Sequence, residues 1–370
     1  MTSARESNLS LSERLRARIK REGAISFHDW MKAALYDRRE GYYCRGDRAR
    51  WGREGDYRTA PETSPLFAAT FARYFARLWV ELGSPSAWTI LEVGAGFGEF
   101  AAGVLGNLKS NHPEVFAATR YLVDEISDDA RERGAANLAG FEKSFEFRRI
   151  SEINQTFPIG IVFSNELIDA FPVHRITMSG GKVRSLGVGV DDHDEFVWIE
   201  RALDPQVADY CERARLQLAE GQITEINLGA DNFIARAAML LERGFVITVE
   251  YGAERAELLT DPARREGTLR AVHHHQVVSD LLQEPGRRDL TTTIDWTQVR
   301  EAGERAGLRT VRHERLDHFL LREGLLDELE SLTRGAEEAE SSRLRVGARE
   351  MIMPAGMAAS FQVMVQEKLN

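Results

Sequence analysis

The chain has 370 residues, and its 43% of hydrophobic residues is enough for a sizeable core in one large domain or two. Its 58 acidic residues outnumber 48 basic ones, and the net charge of −10 argues against a general nucleic-acid-binding protein. No apolar run is long enough to cross a bilayer and no signal peptide is evident, so we expect a cytoplasmic protein without membrane insertion.

The N-terminal region predicts two helices followed by a long loop. Ser10 and Glu13 form a capping-box pattern, and apolar residues follow them at helical spacing. A second helix is predicted from Ser26 through Tyr36. Residues 44–65 are rich in glycine, arginine and aspartate, and a connection of this length is typical of lids and binding loops.

From residue 88 onward, short apolar strands alternate with helical segments, which predicts an α/β fold with right-handed parallel crossovers. Residues 172–243 interrupt this pattern with strand-like pieces and a closing helical segment at 231–243, and we interpret them as an insertion. The predicted strands of the alternating pattern are residues 89–93, 121–124, 145–150, 159–164 and 245–250. The later predicted elements are a helix near 297–307, an acidic helix through 323–340 and a last strand at 361–365.

Three glycines spaced two apart follow the first of these strands and precede a helical segment. Glycines at such a turn allow positive φ and close approach to a ligand, and the first helix amides favour an electron-rich group. A nicotinamide dinucleotide fold is disfavoured, because Glu99 occupies the position of its third glycine. The acid two residues before the first glycine instead fits S-adenosylmethionine (SAM) methyltransferases. The residues predicted to bind SAM here are Glu92, Gly94, Ala95, Gly96 and Gly98.

The second strand ends in two acids, Asp124 and Glu125. An acid at this place in nucleotide-binding α/β folds accepts hydrogen bonds from the ribose hydroxyls. One of the two is expected to face solvent instead, and we favour Glu125 over Asp124 for the ribose.

The fourth strand runs directly into polar residues, and it ends where ligands of open α/β sheets bind. Asn165 and Glu166 are the candidates for orienting the nucleophile, and Asn165 also for contacting SAM. Asp169 fits a helix cap equally well. Methyl transfer depends mainly on positioning. If the acceptor is a guanidinium, with a pKa above ~12, a carboxylate such as Glu166 must orient and polarise it.

Metal binding is not predicted. His273, His274 and His275 are consecutive, so their side chains point in different directions and form a poor chelating set. The two cysteines, Cys44 and Cys211, have no metal-ligand spacing. Residues 289–296 predict an edge strand that leads into a helix capped by Asp295.

Several unrelated short motifs occur in one informative order. The early ones are Gly-Tyr-Tyr at 41–43, Gly-Asp-Tyr-Arg-Thr-Ala-Pro-Glu-Thr-Ser at 55–64, the glycine loop at 92–98, and the segments at 123–127 and 165–174. The late ones are Val-Glu-Tyr-Gly at 249–252, Gly-Thr-Leu-Arg at 267–270, Asp-Leu-Thr at 289–291, and Met357 with Phe361. In this combination the chain resembles the MidA family of SAM-dependent methyltransferases, which includes a mitochondrial complex I assembly factor acting as a protein arginine methyltransferase.

The resemblance implies a Rossmann-like class I SAM methyltransferase sheet with an N-terminal helical region and a large insertion after the fourth strand. The implied division is 1–65 for the N-terminal helices and a cofactor-covering loop, 66–171 with 244–370 for the core, and 172–243 for substrate or partner recognition. The loop before residue 65 would fold over SAM, adding Thr59, Pro61 and Ser64 to the cofactor site. Asp289 and Thr291 become candidate site residues.

The chain departs from the family pattern at a few positions. Ala60 replaces a serine, Ala95 and Phe97 replace the proline and arginine of the glycine loop, and Glu250 stands where aspartate is usual. Phe97 removes a positive charge near the SAM carboxylate.

The leading hypothesis is therefore a SAM-dependent methyltransferase acting on a protein side chain, with arginine favoured. The alternative is a catalytically weak or inactive assembly factor that binds a partner through residues 172–243. The expected partners are a protein substrate, such as a client of respiratory-complex or other assembly, and a second copy of the chain in a homodimer.

Overall fold

The computed structural model describes residues 9–45, 64–273, 276–278, 280–353 and 359–369. Its helices are α1 (Leu11–Glu22), α2 (Phe27–Tyr36), α3 (Pro65–Glu81), α4 (Glu99–Asn111), α5 (Pro113–Ala118), α6 (Asp128–Asn137), α7 (Pro205–Arg213), α8 (Leu228–Leu240), α9 (Arg255–Thr260), α10 (Trp296–Arg305), α11 (Leu316–Arg322), α12 (Leu325–Thr333) and α13 (Glu338–Ile352). Its strands are β1 (Ile25–Ser26), β2 (Trp88–Val93), β3 (Thr119–Asp124), β4 (Phe145–Phe147), β5 (Phe157–Asn165), β6 (His174–Ser179), β7 (Lys182–Val190), β8 (Phe196–Arg201), β9 (Ile223–Ile226), β10 (Leu241–Ala253), β11 (Arg270–His273), β12 (Gln276–Val278), β13 (Asp289–Thr291), β14 (Ile294–Asp295), β15 (Leu308–Arg315) and β16 (Phe361–Lys368).

A central sheet runs in the order β15-β16-β10-β5-β2-β3-β4, with β14 added beside β10. The strands from β10 to β4 are parallel, whereas β16 runs antiparallel to both of its neighbours. Parallel strands require helical crossovers, which cover both faces of the sheet and make its strands apolar throughout. The predicted α/β fold class is confirmed.

Two apolar cores lie on the two faces of this sheet. Alternate residues of β2 point to opposite faces, so Ile90 packs on one side with α3, α4 and α11–α13, whereas Leu91 packs on the other with α8 and α10. Aromatic side chains fill the first core, where the rings of Phe100 and Phe163 stack with centroids 4.5 Å apart. The sheet and its carboxyl edge are therefore rigidly framed.

A second sheet joins the N-terminal helices to the insertion. Its strands run β1-β7-β6-β9, with β8 also paired to β7. Ile25 of β1 pairs with Val188 of β7, and the buried faces of α1 and α2 share one core with this sheet. The N-terminal region and the insertion thus pack as one unit, although the described strands β2–β5 and helices α3–α6 lie between them in the sequence.

Several element boundaries differ from the sequence predictions. The helix predicted at 231–243 ends at Leu240, because Leu241 begins β10 and pairs with Phe157; this helix covers the sheet as a crossover. The third predicted strand ends at Phe147. The predicted acidic helix is two helices, α12 and α13, and between them Gly335 has φ of +82°. Within the described residues, no helix is both long enough and apolar enough to span a membrane.

The contact between β5 and β10 requires glycine. A Cβ atom built on Gly244 would lie 1.8 Å from the carbonyl oxygen of Gly160, and Gly244 has φ of +143°. Gly140 also has positive φ, but a Cβ atom there would meet no other atom within 4 Å. The two glycines therefore separate the cost of backbone strain from the cost of a steric clash.

We expect Gly140→Ala to lower the free energy of unfolding by about 1–2 kcal/mol, the usual cost of a left-handed alanine. Gly244→Ala should cost more than about 3 kcal/mol, because the strands must separate. Urea denaturation of both variants measures the difference. Equal losses would show that β5 and β10 can accommodate the methyl group.

Candidate active site at the carboxyl edge of the sheet

The order of the strands reverses between β2 and β5. The chain passes from β2 to β3 and β4 on one side, whereas β5 pairs with the other side of β2. Ligands of open α/β sheets bind outside the carboxyl ends of the strands at such a switch point. The loops after β2 and β5 touch there, since a Cβ atom on Gly94 would lie 2.8 Å from Cδ1 of Leu167.

The loop after β2 has the backbone shape that its glycines allow. Gly94, Gly96 and Gly98 have φ of +76°, +54° and +70°, and Gly98 begins α4 without a side-chain cap. The N–H groups of Gly94 and Ala95 donate to the carbonyl of Asp124, at 2.9 and 3.1 Å, which ties the loop to the end of β3. This glycine-rich cradle at a helix N-terminus fits the close approach of SAM.

Glu125 and Asp124 have different surroundings. The buried Glu125 carboxylate accepts the N–H of Gly96 at 2.9 Å and the N–H of Ser127 at 2.8 Å, so it lies against the glycine loop. Asp124 is held by Arg149, with Oδ1 2.7 Å from Nε, and by the N–H of Ile150 at 3.0 Å. Both carboxylate oxygens of Asp124 are therefore paired away from the glycine loop, which favours Glu125 as the predicted ribose acceptor.

Glu92 is buried between β2 and β3. The hydroxyl of Tyr121 donates to its carboxyl at 2.8 Å. Burial raises the pKa of Glu92 to about 8, against the opposing effect of this hydrogen bond, so the group is protonated at neutral pH. Its contact with SAM stays a prediction, and what the structure adds is a role in joining the two strands beneath the loop.

The turn after β5 presents Asn165 and Glu166 at the crevice. Glu166 has φ of +49°, a sparsely populated conformation for a residue with a side chain. Its N–H donates to the carbonyl of Val249 at 3.0 Å, and its Oε1 accepts from Nδ2 of Asn165 at 3.1 Å. The two predicted catalytic residues are therefore adjacent, hydrogen-bonded and held in a strained turn.

Glu250 holds this turn from β10. Its Oε1 atom accepts three consecutive N–H groups, from Leu167 at 2.8 Å, Ile168 at 2.6 Å and Asp169 at 3.3 Å. The side chain is fully buried, and burial together with the nearby Asp169 charge raises its pKa. Glu250 belongs to the motif at 249–252 and stands where aspartate is usual in the family.

Asp169 is a buried member of the site and caps none of the described helices. The hydroxyl of Tyr251 donates to its Oδ2 at 2.8 Å, and the guanidinium of Arg270 lies 5.2 Å from the centre of the Tyr251 ring. Burial raises the pKa of Asp169 to about 6.

The N-terminal helix α2 and the segment after it form one wall. The hydroxyl of Tyr36 donates to the carbonyl of Ala170 at 3.0 Å, and the hydroxyl of Tyr43 donates to the buried Asp289 at 2.8 Å. The two tyrosine rings stack with centroids 5.5 Å apart. Asp289, a candidate from the resemblance, therefore lies against this wall, and Thr291 hydrogen-bonds Tyr251.

Of the remaining predicted residues, some lie within the described part of the chain and others lie outside it. Ser64 is buried and caps α3, accepting the N–H of Leu66 at 3.3 Å. Thr59 and Pro61 lie outside the described residues, as do His274 and His275. Asp295 caps α10 as predicted. The part of the chain that the structure describes contains no group of three or more His, Cys, Asp or Glu that could hold a metal ion.

Comparisons with known proteins agree with this geometry. A family model of S-adenosyl-L-methionine-dependent methyltransferases matches residues 70–313, more than half of the chain. The chain belongs to this family. The crystal structure of a Burkholderia thailandensis protein bound to S-adenosyl-homocysteine is similar, with a TM-score of 0.86 and 28% identity over 96% of this chain and 91% of that one.

The MidA family assignment, the class I fold, the SAM cofactor and the methyltransferase class are thereby confirmed. Two similar curated relatives are each named mitochondrial protein arginine methyltransferase NDUFAF7 or its homologue. The Drosophila melanogaster protein is 27% identical over 80% of this chain and 71% of its own length, and the Mus musculus protein is 24% identical over 91% and 79%.

At the family's arginine position in the glycine loop, this MidA-family chain has Phe97. The guanidinium of Arg133, in α6, lies 5.0 Å from the centre of the Phe97 ring. A positive charge is therefore present beside the glycine loop although residue 97 carries none.

Sequence reasoning assigned no role to Glu250, Tyr251, Arg270, Tyr36 or Tyr43. The first two could have been found by the signal that found Asn165 and Glu166, because they follow the mostly apolar stretch 244–249 of a strand. The two tyrosines on the N-terminal wall carried no such signal, since their place depends on how α2 packs.

We expect Glu125→Gln to weaken SAM binding about 10- to 100-fold, the loss of one charge-assisted hydrogen bond, with little change in melting temperature. The matched change Asp124→Asn breaks the pair with Arg149. It should lower the free energy of unfolding by about 1–3 kcal/mol and affect SAM binding less. Calorimetric titration with SAM and thermal unfolding distinguish the two variants. If Asp124→Asn weakened SAM binding more than Glu125→Gln, the ribose acceptor would be Asp124.

We expect Glu92→Gln to flatten the pH dependence of stability. In the wild type the folded carboxyl keeps its proton up to about pH 8, whereas the unfolded one loses it near pH 4.5. The free energy of unfolding therefore falls as pH rises from about 5 to 8, by about 3–5 kcal/mol in total. Glu92→Gln lacks this fall, and the exposed control Glu114→Gln keeps it. Parallel denaturation curves for wild type and Glu92→Gln across this range would contradict a buried, protonated Glu92.

Proposed function

We propose that this MidA-family methyltransferase methylates an arginine side chain of a protein. The observation that carries the proposal is the chemical character of the lining. Among the described residues of the site, most titratable side chains are acids, and the cations nearby are Arg270 beside Tyr251 and Arg133 at the rim of the glycine loop. The acids are Glu125, Glu166, Asp169, Glu250 and Asp289, with the protonated Glu92 beneath the loop.

Unpartnered acceptor atoms support a substrate rich in N–H donors. Oδ1 of Asn165, Oδ1 of Asp169 and Oε2 of Glu250 are buried without a hydrogen-bond partner among the described residues. A guanidinium offers five N–H donors in a planar fork and no acceptor, whereas an ammonium offers three from a point. The acceptors therefore favour arginine over lysine.

The chain's own residues supply orientation and electrostatic stabilisation. SAM, when bound, supplies an electrophilic methyl group. Glu166 holds one face of the acceptor guanidinium, and its strained turn fixes the direction of the carboxylate without reorganisation. The N-terminal wall of Tyr36 and Tyr43 excludes water from the acceptor.

The names of the relatives support a protein substrate for this chain. We propose that the unit formed by α1, α2 and residues 172–227 recognises that protein, because it borders the catalytic turn through Ala170 and Tyr36. A cytoplasmic location, an assembly client as substrate and a homodimer remain predictions.

The test uses tritiated SAM and a cell lysate, with wild type, Glu166→Gln and the exposed control Glu152→Gln. We expect labelled protein with wild type and the control, and a loss of at least about 100-fold with Glu166→Gln, whose amide no longer polarises the guanidinium. SAM affinity should stay within twofold in all three. Mass spectrometry then identifies the labelled residue.

The outcomes separate the competing functions. Label on lysine would replace the proposed acceptor and keep the enzyme class. Absence of label from a wild type that still captures a partner protein would favour the assembly-factor alternative.

A further inference from the structure

We infer that Asp169 is a second catalytic carboxylate, whose Oδ1 atom accepts an N–H of the acceptor guanidinium and takes the proton that methylation releases. The inference rests on the proposed function and goes beyond it, since it gives Asp169 the transfer of the released proton in addition to a contact with the acceptor.

The surroundings of Asp169 leave one atom without a structural role. Its N–H donates to Glu250 at 3.3 Å, its carbonyl accepts the N–H of Thr292 at 3.1 Å, and its Oδ2 accepts the Tyr251 hydroxyl. Oδ1 is buried and meets no donor at hydrogen-bonding geometry in the described part of the chain, although the backbone N–H groups of Asp169 and Ala170 lie near the carboxylate and lower its pKa. A buried acceptor without a donor costs about 1–3 kcal/mol, so a donor from a ligand is the expected occupant.

The position of Asp169 connects it to both substrates. It ends the turn that begins at Glu166, and Leu167 in that turn contacts the glycine loop at Gly94. The Tyr36 hydroxyl lies close enough to Asp169, Asp289 and Glu125 that their charges raise its pKa further, after the larger effect of burial. The predicted ribose acceptor and Asp169 therefore both lie near the same tyrosine.

The groups around Asp169 suit a proton acceptor. From β10, Tyr251 donates to it and Glu250 lies nearby; from β11, Arg270 stabilises its charge; from α2, Tyr36 faces it. Burial outweighs the favourable contacts and raises its pKa to about 6, near the operating pH, which is the range that a general base requires. Methylation forms one N–C bond, breaks the methyl–sulfur bond of the donor and frees one N–H proton, which Oδ1 accepts and later releases to water.

The experiment measures how well the protein distinguishes a charged probe from a neutral one of the same shape. Acetyl-arginine amide and acetyl-citrulline amide are titrated, from pH 5 to 8, into protein saturated with S-adenosyl-homocysteine. The proteins are wild type, Asp169→Asn and the exposed control Asp192→Asn, which changes net charge equally. The amide introduced by Asp169→Asn keeps an oxygen for the Tyr251 hydroxyl, so the turn should persist, and unchanged S-adenosyl-homocysteine affinity checks this.

We expect wild type and the control to prefer the arginine probe at least tenfold at pH 8, and this preference to decline below about pH 6. Asp169→Asn should lose at least fivefold of the preference and most of its pH dependence. A wild type without preference overturns the proposed function. A clear wild-type preference that Asp169→Asn retains overturns the role of Asp169 alone.

A second variant covers the case in which Asp169→Asn loses its fold. Tyr251→Phe removes the hydrogen bond that lowers the pKa of Asp169. The pH at which arginine binding declines should then move upward by about one unit. No movement contradicts the inference.

Discussion

The site depends on one buried interaction, in which Glu250 accepts hydrogen bonds from three consecutive amides of the turn after β5. The side chain projects from β10 beside β5, and its Oε1 atom gathers the N–H groups of Leu167, Ile168 and Asp169. These amides would otherwise be buried without acceptors, at a cost of about 1–3 kcal/mol each. These hydrogen bonds hold the turn in a conformation in which Glu166 has positive φ and Leu167 packs against Gly94. In the same conformation Asp169 accepts the Tyr251 hydroxyl.

A second buried network connects the insertion to the segment before β11. Arg175 of β6 pairs with Glu225 of β9 at 3.2 Å, and Glu225 accepts the N–H of Thr268 at 2.7 Å. A Cβ atom at Gly267 would lie 2.2 Å from the Glu225 carboxylate, so glycine is required for the close approach. The insertion thereby fixes the segment that carries Arg270 over Tyr251, which links the unit proposed to recognise the substrate to the turn after β5.

The parts of the site that the sequence predicted are those encoded in a single segment. The glycine loop has a local steric signature, and Glu125, Asn165 and Glu166 each end an apolar strand, so strand pattern alone places them on one edge. Asp124 and Glu125 could not be separated by pattern with certainty, because the difference lies in Arg149 and Gly96, which come from elsewhere in the chain. The predicted end of the helix at 231–243 was wrong for a similar reason. The sequence pattern of the helix before β10 does not distinguish it from the elements of the insertion. Only its packing on Val162 and Leu91 shows that it is a crossover of the central sheet.

By itself, the sequence determined the α/β order, the cofactor loop, the acids that end the strands and, through its ordered motifs, the family. Each of these depends on residues close together in the chain, where the period of apolar residues and the freedom of glycine act directly. The tertiary structure alone decided that Glu250 holds the turn after β5, that Tyr36 and Tyr43 lie beside that turn, and that one buried oxygen of Asp169 has no hydrogen bond among the described residues. Those facts arise from hydrogen bonds between residues 82 to 246 positions apart, and burial gives such bonds their strength only after the sheet and its helices have packed.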